Sequence, residues 1–337
     1  MRIVSYNVEW FSSLFDDQDQ LVMDGGWSSR WNVTREQQAE ALGVVFAALD
    51  ADAIMVIEAP DHGRTRRTVA ALEHFAQVFG LRARQAVMGF SNDTQQEIAL
   101  LFDPDTLNAH HDPIGHNTSS DAPRFDGVFR IDLDVDATED QVVFSKPPLE
   151  LAVRTKAGRK LRMIGAHLKS KAPHGAKTHD EVMRLSIANR RKQLAQAIWL
   201  RRRIEAHLQA GEDLIVLGDL NDGPGLDEYE DLFGRSSVEI VMGIGAAPKL
   251  YDPHARMALG QRIGAQPSSA RFFISSEDRY LQALLDYAFV SDGLRAANPK
   301  WRIWHPFEDH SCYARPELRD ALLTASDHFP VVLDIDI

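Results

Sequence analysis

The sequence predicts an α/β fold organised as one domain over residues 1–337. Short apolar runs rich in branched residues recur along the whole chain, as expected of strands covered on both faces. Stripes of apolar residues at helical spacing alternate with them. No internal repeat, low-complexity tract or Gly/Ser- or Pro-rich linker breaks the alternation, so nothing divides the chain into two cores.

Taken in order, "RIVSYNV" reads as the first strand, and residues 35–49 follow as a helix with Leu42, Val45, Phe46 and Leu49 on one stripe. "AIMVIE", "IALLF", "LELAV" and "LRMIGAHL" continue the strands. Residues 181–209 form a second helical pattern on Ile187, Leu194, Ala195 and Ile198, and "LIVLGDL", "YAFVS" and "PVVLDIDI" complete the series. Residues 103–145, heavy in Asp and His, and residues 234–280, rich in Gly, Ala, Pro and Ser, lack a clear period. They are expected to be long loops, where substrate choice usually resides.

Composition narrows the function. Thirty-seven basic against 49 acidic residues give a net charge of -12, which opposes a broad polyanion-coating surface unless positive charge is concentrated locally. Cys312 is the only cysteine, so an intramolecular disulfide and a thiolate zinc cluster are both excluded. "MRIVSYNVEW" reads as a strand with no apolar leader ahead of it, and the expectation is a soluble cytoplasmic protein with no membrane association and no obligate protein partner.

Polar residues gather at strand ends. "VLGDLND" sets Asp219, Asn221 and Asp222 directly after an apolar run. Glu58 ends "AIMVIE", Asn7 and Glu9 close the first strand on one face by the two-residue period, and His167 closes "RMIGAH". Asp286 precedes "YAFVS", and Asp327 with His328 precedes "FPVVLDI". Antiparallel strands would bring both sets to one rim, where carboxylates, amides and imidazoles suit a hard cation such as magnesium or manganese together with proton transfer. The plain alternative is turns and caps, which Asp and Asn favour.

The ordered set "SYNVEWF", "VIEAP", "EIALLFDPD", "IGAHLKS", "VLGDLND", "LLDYAFVS" and "ASDHFPVVL" resembles the endonuclease/exonuclease/phosphatase family, which includes deoxyribonuclease I and abasic-site repair endonucleases. The resemblance implies a four-layer α/β sandwich, two mixed β-sheets face to face flanked by helices. It also implies a metal-dependent phosphodiesterase in which water attacks a phosphate ester, nuclease-like, with nucleic acid as the expected substrate. A phosphatase or phosphodiesterase acting on a small-molecule or lipid-derived phosphate ester is the alternative. The implied cofactor is Mg2+, with Mn2+ in its place as the variant.

Carried over by position, Glu58 matches the principal metal ligand, with Asn7 beside it and Asp327 a further contributor. Asp219 and Asn221 match the pair that orients the attacking water and holds the phosphate, and His328 with Asp286 matches a His-Asp dyad. His167 matches a second histidine, and Glu97 falls where the deoxyribonuclease branch has a glutamate that pairs with it. "FSKPPLELAV" resembles the segment that places a phosphate-contacting arginine in relatives. Here the basic residue is Lys146, a point charge rather than a bidentate fork.

Other groups have two readings. Lys169, Lys171, His174, Lys177 and His179 after His167 form either a basic lip that steers a polyanion or a solvated loop, with Lys169 the member first expected to touch substrate. Arg190, Arg191, Lys192, Arg201, Arg202 and Arg203 read as a charged outer helix face rather than a nucleic-acid patch. Glu9 either joins the metal shell or is a plain rim carboxylate. His110, His111 and His116 read as surface residues, and Trp27 and Trp31 as packing.

Overall fold

The alternation of side chains along each strand sorts the apolar residues into three layers of core. The computed structural model describes residues 1–116, 122–132, 139–173, 175–223, 234–245, 248–260, 266–274 and 278–337, so His174 lies outside the described residues. In chain order the strands are β1 (Arg2–Asn7), β2 (Ala53–Ala59), β3 (Gln85–Met88), β4 (Glu97–Phe102), β5 (Leu107–His111), β6 (Phe129–Ile131), β7 (Asp140–Val142) and β8 (Leu149–Thr155). They continue with β9 (Lys160–His167), β10 (Leu214–Asp219), β11 (Leu250–Tyr251), β12 (Ala270–Ile274), β13 (Arg279–Ala283), β14 (Asp286–Ser291), β15 (Lys300–Ile303) and β16 (Val331–Asp334).

One sheet has the order β15-β16-β1-β2-β4-β3 and the other β11-β14-β10-β9-β8-β5. Only β1/β2 and β9/β10 are parallel within these sheets. Ile3, Met55, Ile57, Ile98 and Leu100 from the first sheet meet Met163, Ile215, Leu217, Ala288 and Val290 from the second in one buried layer. Residues one position out of phase, such as Val4, Ile54 and Leu101, pack outward under helices α1 (Arg35–Leu49) and α2 (Thr68–Val78) and the helix Pro316–Ala325. Ile164, Val216 and Phe289 do the same beneath α3 (His179–Gln209) and the helix Ser237–Met242. The result is the expected four-layer α/β sandwich.

Thr34 and Thr178 start α1 and α3 with complete capping boxes, each satisfying two otherwise orphaned backbone donors. The two stretches expected to be long loops are more ordered than that. Residues 103–145 contain β5 and the β6/β7 ribbon, and residues 234–280 contain two helices, β11, β12 and the start of the β12/β13 hairpin. These elements are short and half-exposed, so their sequences carry little apolar period. No helix among the described residues is long and apolar enough to cross a membrane.

Gly218 marks the closest backbone approach in the second sheet. Its φ is +136°, and an added Cβ would lie 1.9 Å from the carbonyl oxygen of Ala166 on β9. Backbone cannot yield as a flexible side chain would. Gly218→Ala should therefore cost about 3 kcal/mol or more of unfolding free energy, read from urea midpoints. A loss within the range of ordinary surface substitutions, about 0.5 kcal/mol, would contradict this.

Candidate active site

Strand register assembles the site. Asp219, the last residue of β10, pairs with His167 at the end of parallel β9 and with Asp286 at the start of antiparallel β14. All three share the phase of Met163, Leu217 and Ala288, so their side chains enter the layer between the sheets. Asn7 follows Ile3 in the same phase on β1, and its Nδ2 donates to Asp219 Oδ2 across the sheets at 3.1 Å.

Glu58 reaches this rim by a local irregularity. By period two it would follow Ile54 and Val56 under the helices, but β2 slips its register against β4 between Ile57 and Ala59. Glu58 takes φ +61° there and Ala59 occupies the outward position instead. A bulge re-aims a side chain in this way. Glu58 Oε2 accepts from Gln96 Nε2 at 2.6 Å and, more distantly, from the Trp10 backbone N–H at 3.5 Å.

Asn7, Glu58, His167 and Asp219 line a pocket of about 660 Å³ together with Glu9, Trp10, Thr94, Lys146, Lys169, Asn221, Asp327 and His328, with Asp286 behind His328. A concavity of about 720 Å³ lies at the opposite end of the second sheet, between Arg154, Lys160, Arg162 and Glu212. Of its lining residues, Arg162 pairs with Asp112, Asp213 with Arg159 and Glu212 with the buried His207, so these groups are engaged within the scaffold. The 660 Å³ pocket, where the strand-end polar residues gather, is the candidate site.

The two histidines have opposite environments. His328 Nδ1 lies 2.7 Å from Asp286 Oδ2, which also accepts from Ser269 Oγ at 2.8 Å. Burial opposes charge on His328, but Asp286, with Asp219 and Asp327 behind it, holds the imidazole protonated well above its ordinary range. His167 is driven the other way by burial, by the Lys146 ammonium and by His328 itself. Lys146 Nζ stands 3.3 Å from His167 Nδ1, its own pKa lowered by burial against the pull of Glu58 and Asp219. Burial and the neighbouring Asp286 raise Asp219 to about 7, and burial likewise raises Glu58.

Unmet oxygens mark where a cation fits. Asn7 Oδ1 and Asp327 Oδ1 are buried atoms with no hydrogen-bond partner, and both residues line the pocket with Glu58. An all-oxygen set carrying excess negative charge suits a hard divalent ion, which Asn7, Glu58 and Asp327 would hold. Asp219, Asp286 and His328 also lie close enough to form a ligand cluster. There Asp286 Oδ2 is engaged by the His328 imidazole and by Ser269, while its Oδ1 is a further buried oxygen without a partner, so the group is an imidazole–carboxylate pair adjoining the candidate cation position.

Several expected positions fall elsewhere. Glu97 does not meet His167: it has the phase of Ala99 and Leu101, which face the helices. Its carboxylate accepts from Asn92 Nδ2 at 2.7 Å and from the backbone N–H groups of Asn92 and His62, with burial raising it to about 7. Asn221, at φ +50°, gives one amide N–H to the Leu168 carbonyl and the other to Asp219, leaving none for a phosphate, so it positions Asp219. Lys171 is no free lip residue, since its ammonium lies 2.7 Å from buried Asp222. Lys169 stays at the pocket, Lys177 and His179 are exposed, and Glu9 is held by an ion pair with Arg30.

The arginine-rich helix face is only partly solvated. Arg190, Arg201 and Arg203 are buried, Arg190 against Asp222 and Arg203 against Glu150. Conversely, Trp27 and Trp31 do not pack, being 67% and 95% exposed. His110 and His116 are exposed, while His111 sets its edge against Phe90. Sequence reasoning passed over Trp10, Gln96, Arg30 and Ser269, none of which carries a spacing signal. Only the neighbours in the fold reveal them.

The model of the endonuclease/exonuclease/phosphatase family matches residues 4–328. No curated protein matches the chain. Among solved structures, an endonuclease/exonuclease/phosphatase family protein from Bacteroides thetaiotaomicron is similar with 14% identity and a TM-score of 0.51, covering 99% of this chain and 96% of that one. SmcL is similar with 16% identity and a TM-score of 0.50, covering 100% and 99%. TDP2 from Caenorhabditis elegans shows 13% identity and a TM-score of 0.49, covering 100% and 74%. At these identities the likeness is one of fold.

The opposed imidazoles give a pH signature. His328 gains its partner on folding, so its contribution to stability is fully present below the ordinary value of 6.5 and is lost as the pH rises through its raised folded value. His167 refuses a proton in the fold, so its contribution is lost as the pH falls below 6.5, where the unfolded chain takes one up. In chelator, NMR of the imidazoles should show His328 protonated above that value and His167 neutral below it. The same protonation state in both rings at neutral pH would contradict the assignment.

Proposed function

Because the chain belongs to the endonuclease/exonuclease/phosphatase family, and is on that ground a phosphate-ester hydrolase of the phosphodiesterase and nuclease type, we propose that it is a magnesium- or manganese-dependent nuclease. The catalytic unit in this reading is the whole of residues 1–337. The observation that carries the finer reading is the convergence, in one pocket, of a charged His328–Asp286 pair, a neutral His167, the carboxylate of Asp219 and the ammonium of Lys146. Such opposed environments separate acid from base among like groups.

In this reading Asp219, fixed by Asn7 and Asn221, orients the attacking water and draws its proton. The His328 imidazolium donates a hydrogen bond to a phosphoryl oxygen as charge grows there, and Lys146 supplies a second positive charge at the same centre. The P–O bond to the leaving oxygen breaks as the water oxygen bonds to phosphorus, the leaving oxygen takes up a proton from solvent, and Asp219 returns the proton it drew to solvent. His167 lies beside Lys146 and Glu58, so its ring is placed to exchange a proton with substrate or solvent. A divalent ion held by Asn7, Glu58 and Asp327 supplies Lewis-acid polarisation of the phosphoryl group when bound.

One panel assay tests the reading, with duplex DNA, single strands, RNA, a nitrophenyl phosphodiester, inositol phosphates and sphingomyelin, each with magnesium or manganese. Cleavage of nucleic acid is expected. Turnover of a small or lipid-derived ester with no nucleic-acid cleavage would overturn it in favour of the alternative. Glu58→Gln should require far more divalent ion for turnover, while its unfolding midpoint in chelator stays near that of the parent. Undiminished turnover of the parent in excess chelator would remove the metal from the mechanism.

The histidines should be separately essential. His328→Ala and His167→Ala are each expected to lower kcat on the order of 10²-fold or more. A variant within a few-fold of the parent would strip that residue of its role.

A further inference from the structure

Trp10 is the least explained residue of the pocket. Its neighbours Val8 and Phe11 are fully buried, and Phe11 packs edge-on against Phe75. Between them the chain turns through a left-handed residue, Trp10 at φ 57°, which presents the indole outward with 44% of the residue exposed. A bulky residue rarely adopts this conformation, and its persistence points to function. The turn is fixed, because the Trp10 carbonyl accepts from the Ser13 N–H at 3.0 Å and from Ser13 Oγ at 2.8 Å. The Trp10 backbone N–H also faces Glu58 Oε2 at 3.5 Å, and Trp10 lines the same pocket as Glu58.

We propose that the Trp10 indole is a stacking subsite for an unpaired nucleobase next to the scissile phosphate, so that the preferred substrate is single-stranded nucleic acid. This deepens the nuclease reading and rests on it. The pocket that Trp10 lines is otherwise mostly polar, with Glu9, Thr94 and Gln96 among its residues, so the one large aromatic side chain in the lining among the described residues is accompanied by hydrogen-bonding groups. That matches a flat heteroaromatic ring with polar edges. An acyl chain would need a continuous apolar track. A highly phosphorylated small molecule would meet few cations, since Lys146 and Lys169 are the only lysines of the pocket among the described residues. A base held in a duplex keeps its faces covered by its neighbours, so stacking on Trp10 requires an unstacked one.

The test is a cycle between protein and substrate. Single-stranded DNA and RNA oligonucleotides are compared with the same strands carrying base-free sugars on both sides of the cut, for the parent, Trp10→Ala, Trp10→Phe and Trp10→Asn. Asparagine tolerates the left-handed backbone, so this variant keeps the turn if Trp10→Ala does not fold. In the parent, removing the bases should raise KM about tenfold, the effect of losing one base–aromatic stack. In Trp10→Ala and Trp10→Asn the two kinds of strand should have equal KM, and Trp10→Phe should restore most of the difference.

A base-removal penalty that survives in both Trp10→Ala and Trp10→Asn would overturn the subsite and leave the nuclease reading standing. So would faster cleavage of duplex than of single strands by the parent. Hydrolysis of a small phosphodiester with no cleavage of any strand would overturn both.

Discussion

Asp219 is the constraint on which the rest of the site depends. It is buried at the meeting of two sheets, directly opposite Asp286, and two carboxylates so placed cannot both be charged without compensation. The fold compensates from three directions. Asn7 donates from the first sheet, the Asn221 backbone and side chain donate from the turn that follows β10, and His328 brings a positive charge matched to Asp286. Each partner is placed by register or by a turn rather than by a flexible side chain, so the arrangement is held before any substrate arrives.

The strands and α3 were legible in the sequence because they are buried on a regular period. Asn7, His167, Asp219 and Asp286 were legible for the same reason, each extending an apolar alternation into the rim. Glu97 shows the converse. Its phase with Ala99 and Leu101 was readable from the strand and pointed away from His167, but the family resemblance suggested a pair, and the pleat prevailed. The bulge at Glu58 was not readable, since one residue of slip leaves no mark on composition. Arg190 and Arg203 misled because their partners, Asp222 and Glu150, are distant in sequence, so a local charge run passed for a solvated face.

Charge placement shapes how substrate can be held. With Arg190 and Lys171 both turned to Asp222, the second acid of "VLGDLND" serves the scaffold. It ties α3 and the segment after β9 to β10 and also accepts the Ser237 N–H at the start of the next helix. The cationic surface left at the pocket is narrow, with Lys146 inside, Lys169 at the edge and Lys192 near enough to oppose its charge. A protein of net charge -12 with so small a positive area grips few phosphates at once. Discrimination among substrates must then come from contacts other than long-range attraction.

Backbone strain supplies the last part of the explanation. Trp10, Glu58 and Asn221 all take left-handed φ, and all three line the pocket. Asparagine accepts this readily, whereas tryptophan and glutamate do not, at a cost on the order of 1–3 kcal/mol each. Such strain persists only where surrounding packing over-determines it, and here it does: Phe11 is locked among aromatic rings, and Ala59 fills the outward place that Glu58 vacates. The stability of the two outer cores thus maintains unfavourable backbone at the rim. A helix-side substitution that loosened Phe11 or Ala59 would let these residues relax, and the pocket would lose its geometry before the fold lost its cooperativity.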